Sequence, residues 1–164
     1  MTKMTKMTKI KVLAFGAILA AAALPVSLHV SAAGDTGVAA AAGGLFPSGG
    51  VLYGVNLSSS TFGAGVIIAA SGTAEGSFQT ILSGTTALGT AQNITLEGNV
   101  QSGTANTDGS VTFSGTSTVD TCSCGQILTG VPFTVRMTTS GLTLVVGTTT
   151  LPTQTLTDGG ITLQ

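Results

Sequence analysis

From Val51 to Gln164 no window of the chain repeats its apolar residues at a helical period. Short runs of Val, Ile, Thr and Phe alternate instead with Gly, Ser, Asn and Asp, at the spacing expected of an all-β sandwich or barrel. The runs are Val51 to Ser58, Gly65 to Ser71, Ser77 to Ser83, Asn93 to Gln101, Ser110 to Asp120, Leu128 to Thr139, Leu142 to Thr149, and a last pair around Thr153 to Leu163. The expected fold is therefore all-β: a single antiparallel β-sandwich or a small closed β-barrel of about eight strands.

Two turns fix which residues share a face. A two-residue turn at Asp108-Gly109 pairs Val100 with Ser117 and Leu96 with Thr121, which puts Ile94, Leu96 and Val100 on the face of Val111, Phe113 and Val119. A turn at Ser140-Gly141 pairs Met137 with Leu144 and Val135 with Val146. Phe133, Val135 and Met137 then share a face with Leu142, Leu144 and Val146, while Thr134, Arg136 and Thr138 face water. Pro132 belongs near an edge or a strand start. The opposite face of the Val111 strand (Thr112, Ser114, Thr116, Thr118, Asp120) is a polar ladder. It has no fixed-period repeat of the kind a threonine array for ice or sugar needs.

Ahead of this region stands a leader. Lys3, Lys6, Lys9 and Lys11 precede an apolar run from Val12 to Leu24, and Pro25 and the small residues up to Ala33 follow. This is the order of a cleavable signal peptide, with cleavage expected after Ala32 or Ala33. Residues 1–33 are read as that leader, 34–50 as a flexible Ala/Gly-rich tether, and 51–164 as one β-domain. No later apolar segment approaches the roughly 20 residues of a spanning helix, so stable membrane insertion after cleavage is not expected.

Every lysine and the only histidine, His29, lie within the leader. Beyond residue 33, Arg136 stands alone against Asp35, Glu75, Glu97, Asp108, Asp120 and Asp158, a net charge of −5. One cation cannot neutralise a phosphate backbone, so nucleic acid and anionic lipid are excluded as partners. Losing histidine and lysine removes Ser-His-Asp, Cys-His and lysine-based catalysis, and histidine-bearing zinc sites with them.

Few groups able to carry chemistry remain. Cys122-Ser123-Cys124 sits between two strands, and in an oxidising compartment three readings stand. Cys122 and Cys124 form a strained disulfide, one of them bridges to another chain, or they make a thiolate site with Met137 as the only soft donor left. No cation or helix N-terminus adjoins them to activate a thiol, which favours structural or incidental cysteines. Glu75 and Glu97 are the only glutamates, and a glycosidase pair built on them lacks the aromatic platform a sugar site usually offers. Asp108 and Asp158 precede glycines and read as turn residues, and Arg136 reads as the partner of an acid across the sheet.

The sequence thus predicts no catalytic residue, no cofactor and no metal. It points to a non-enzymatic exported domain, secreted or held in the periplasm or at the surface of a bacterial cell. Its expected role is structural, adhesive or assembly, by self-association or with an envelope partner. The alternative is a barrel that carries a small apolar ligand.

Overall fold

The computed structural model describes residues 34–47, 49–121 and 126–164; the leader and the Cys122/Cys124 segment lie outside the described residues. The described chain is all strand and turn, ten antiparallel strands in one sheet. They are β1 (Thr36–Leu45), β2 (Val51–Leu52), β3 (Val55–Ile68), β4 (Thr73–Thr86), β5 (Ala91–Ala105), β6 (Val111–Asp120), β7 (Ile127–Thr138), β8 (Gly141–Val146), β9 (Thr149–Thr150) and β10 (Gln154–Leu163). Among the described residues no helix is long and apolar enough to cross a membrane.

Consecutive strands from β3 to β8 are neighbours, as short hairpin connections dictate. β10 then pairs with β8, β1 pairs with β10, and β1 pairs on its other side with β3 along its whole length. The pairings thus form a closed ring of eight strands, with β2 and β9 as short ribbons outside it. Followed from Ala105 through Val111, Met137, Leu142 and β10, the register returns to β5 at Asn93, about a dozen residues from where it left. A stagger of that kind means strands tilted to the axis of the ring.

The segment read from its composition as a tether is, over Thr36–Leu45, the strand that completes this ring. Its small side chains still alternate: Val38 is buried, and Ala40 and Ala42 pack on the core. Two expected runs, Val51 to Ser58 and Gly65 to Ser71, largely merge into the single strand β3.

Both tested hairpins form, and both registers differ from expectation by about two residues. The β7–β8 turn is Thr139-Ser140, so Met137 faces Leu142, Val135 faces Leu144 and Phe133 faces Val146. Leu96 faces Val119 and Val100 faces Gly115, after a longer turn at residues 106–110 and a bulge at Val100/Ser102. The predicted faces are right, because a shift of two returns each side chain to its own side. Pro132 lies one residue past the last β7–β8 pair, where only its carbonyl is used, accepting from Gly147 N–H at 2.8 Å.

The inward positions make one apolar core. Phe78, Leu82, Ile94, Leu96, Val135, Met137 and Leu144 are fully enclosed. Phe78 stacks on Phe133 at 5.9 Å and meets Phe113 edge-on at 6.0 Å. Gly98, opposite Phe78, makes room for this: a Cβ there would lie 2.6 Å from the Phe133 ring. The buried polar groups on this side are few, and most are bonded. Thr80 Oγ1 donates to the Thr61 carbonyl at 3.0 Å, Ser117 Oγ to the Val131 carbonyl at 2.9 Å, and Ser60 Oγ to Gln154 Oε1, while Gln154 Nε2 has no partner.

Candidate functional site

Outward side chains alternate with the core residues along every strand of the ring, and two adjoining grooves cross this outer face. One, of about 400 Å³, runs over β1, β3, β4 and β5 and is lined by Ala41, Thr61, Gly63, Gln79, Ile81, Thr95 and Glu97. The other, of about 250 Å³, continues over β5, β6 and β7 between Thr95, Glu97, Thr118, Asp120 and Ile127. Register places these residues in two rows across the strands: Ala41, Gly63, Gln79, Glu97 and Thr118, and beside them Thr61, Ile81, Thr95, Asp120 and Ile127. Gly63 and Ala41 make the floor shallow, because they carry little or nothing beyond the backbone.

Glu97 borders both grooves, and its oxygens can accept hydrogen bonds from a hydroxyl or an ammonium group. Acid–base chemistry needs a second group at the right distance, and Glu75 does not supply it. Gln79 faces Glu97, and Glu75 lies four residues further along β4, about 13 Å at the rise of a strand. That exceeds the spacing of either glycosidase geometry. The acid nearest Glu97 in register is Asp120, since Thr118 faces Glu97 and Asp120 faces Thr95. The register expected from the sequence sets Glu97 directly opposite Asp120, and the two-residue difference makes them diagonal neighbours instead.

Arg136 finds the cross-strand acid expected of it. Its guanidinium bonds Asp108 in the β5–β6 turn, and Arg136 Nε donates to Ser110 Oγ at 3.2 Å. Asp108 in turn accepts from Ser110 Oγ at 2.6 Å and Ser110 N–H at 3.0 Å. The Ser110 hydroxyl and amide, then the Arg136 charge, hold the Asp108 carboxyl below its ordinary pKa. Asn106 Nδ2 donates to Ser110 Oγ and Thr112 Oγ1, both at 3.0 Å, so the turn is tied to β6 and β7 at once. Asp158 and Gly159, read as a turn pair, instead lie within β10 opposite Gly43 and Ala42, next to the bulge at Gly43/Gly44, and Asp158 Oδ1 accepts from Gly159 N–H at 2.8 Å.

Cys122 and Cys124 lie outside the described residues. Their proposed soft co-ligand does not suit a metal site: Met137 is fully enclosed between Val111 and Leu142 in the core. Among the described residues no group of three or more His, Cys, Asp or Glu is placed to hold a metal ion.

A third hollow, of about 330 Å³, lies at one end of the ring between Gly34, Thr36, the turn at residues 68–72, and Gly103 to Ala105. At the other end stand the β2–β3 and β4–β5 turns, with Tyr53 and Leu88 exposed at their tips. The chain matches no protein-family model, no curated protein and no solved structure.

Proposed function

We propose that this protein is an exported, non-enzymatic β-barrel domain that works through its outside, as an adhesive or assembly component of the cell envelope or extracellular space. The observation that carries this reading is the second edge of β10. β10 pairs with β8 only at Gln154 and Thr155, and from Asp158 to Leu163 it pairs with β1 alone among the described residues. Gly37 and Gln164 exchange both of their hydrogen bonds, so by the alternation of an antiparallel pair the N–H and C=O groups of Ile161 and Leu163 point away from β1. An edge of that length is a template on which a strand of another chain can pair. The leader read in residues 1–33 supports export, and the absence of histidine and lysine beyond residue 33 supports a role without chemistry.

The carrier reading ranks second because the interior is occupied: the Phe78, Phe113 and Phe133 rings meet where a ligand would sit.

Light scattering and cross-linking across a concentration series test the proposal. Wild type is expected to form oligomers that the pair Thr157→Lys and Thr162→Lys abolishes, because lysines on an edge block strand addition. A protein that stays monomeric at every concentration and never co-fractionates with the cell surface would sink it.

A further inference from the structure

Two neighbouring turns carry side chains that local physics disfavours. Leu52 faces Val55, and the two residues between them, Tyr53 and Gly54, have φ of 47° and 79°. Two successive positive φ values are the mark of a type I′ hairpin turn, where Asn-Gly is preferred because other L side chains are strained. Tyr53 is the single non-glycine residue with positive φ among the described residues, and it is 44% exposed. Beside it, Val55 pairs with Thr86, and the Thr86–Thr90 turn is closed by Thr86 N–H to the Thr90 carbonyl and Gly89 N–H to the Thr86 carbonyl, both at 2.9 Å. At its tip Leu88 is 93% exposed, where a polar residue would serve the turn better. Val51, 53% exposed, joins the same rim, since it faces Asn56, which faces Thr85.

Strain kept at an exposed residue points to use rather than to folding. Three features indicate what the rim touches. The apolar groups project from separate turns instead of lining a hollow, so a protein partner would need a matching socket for each, whereas a bilayer surface accepts tips wherever they stand. Residues 49–56 and 84–92 contain no charged side chain, so docking there strips water from no ion. Tyrosine, apolar along its ring and polar at its hydroxyl, suits the headgroup level of a membrane.

We infer that the rim formed by Val51, Tyr53 and Leu88 docks the domain reversibly on a lipid surface of zwitterionic headgroups, with Leu88 reaching the acyl boundary and Tyr53 at the headgroups. The net charge of −5 beyond residue 33 disfavours anionic lipid, so charge selects the neutral surface. This rests on the envelope role proposed above and names its partner.

Tyr53 is the only tyrosine and the chain has no tryptophan, so tyrosine emission reports on this turn whatever the leader does. The full chain is mixed with phosphatidylcholine vesicles whose acyl chains carry bromine quenchers. Tyr53 emission is expected to be quenched, with partitioning about tenfold or more weaker for Leu88→Asn. Leu88 packs on little, so the variant keeps its circular dichroism and melting temperature. Emission left unquenched in folded wild type, or quenched equally in Leu88→Asn, overturns the inference. Dimers that Leu88→Asn disrupts, with no quenching by vesicles, assign the rim to a second copy and overturn it too. Quenching that survives Thr157→Lys and Thr162→Lys, while the oligomers vanish, upholds the lipid contact separately from edge pairing.

Discussion

Ser60 on β3 donates its hydroxyl to Gln154 Oε1 on β10, across the width of β1, and so ties together the two strands that flank the last strand of the ring. Both side chains are buried, and Gln154 Nε2 has no partner. Ser60→Ala is expected to cost about 1–3 kcal/mol, because it leaves the buried amide with neither of its atoms bonded. Replacing both partners, with Gln154→Leu added, is expected to recover most of that loss. Urea unfolding of the two single variants and the double variant gives the coupling; additive losses would show that the pair does not act as a unit.

Phe78 is the hub of the aromatic core and is fully enclosed. Phe78→Ala should destabilise the domain by about 3–5 kcal/mol and leave an apolar hollow. Benzene or a similar small apolar molecule is then expected to raise the melting temperature of the variant and leave wild type unmoved. A wild-type domain stabilised equally by such a ligand would mean that its interior is not filled.

The Asp108 carboxyl titrates below its ordinary value, chiefly through the Ser110 hydroxyl. A folded-state pKa below the unfolded one contributes stability that is present above the unfolded value and lost as pH falls through the lowered one. The stability difference between wild type and Asp108→Asn is therefore expected to be constant above about pH 5 and to shrink below it. Denaturant titrations from pH 7 down to pH 2 measure it, and a difference that widens on acidification would contradict the assignment.

Tyr53 at φ 47° would be better served locally by asparagine. Tyr53→Asn should keep the fold and raise its stability by up to about 1 kcal/mol, read from thermal melts. A loss of more than 1 kcal/mol would show that the tyrosine ring packs into the fold rather than standing apart from it.

What the sequence reveals here follows the period of the strand. Phe133, Val135 and Met137 declare their inward face because alternation is visible residue by residue, and each of them is buried. The register is hidden for the same reason: moving Leu142 from Thr139 to Met137 changes every neighbour and no face. β1 escapes notice because Ala39 to Gly44 offer no bulky side chain to mark an alternation, and its partners on β3 and β10 lie far along the chain. Glu97 and Asp120 are legible as polar-face neighbours, opposite each other in the expected register and diagonal in the observed one. Tyr53 falls inside the expected strand run Val51 to Ser58 and Leu88 falls between two runs, so the turn at Tyr53 and the exposure of both emerge only from the backbone.

The paired hydrogen bonds between Gly37 and Gln164 stand beside Ile67, at one end of β3, whereas the Tyr53 turn adjoins Val55 at the other. The two extremities of the ring thus leave from a common pole, and the apolar tips occupy the opposite one. Whatever is joined to either extremity, a linker, a surface or a second domain, holds the ring of strands like a stalk holding a lamp, with the Leu88 end facing outward. A short linker joining the two extremities should likewise close the chain into a circle without disturbing the ring.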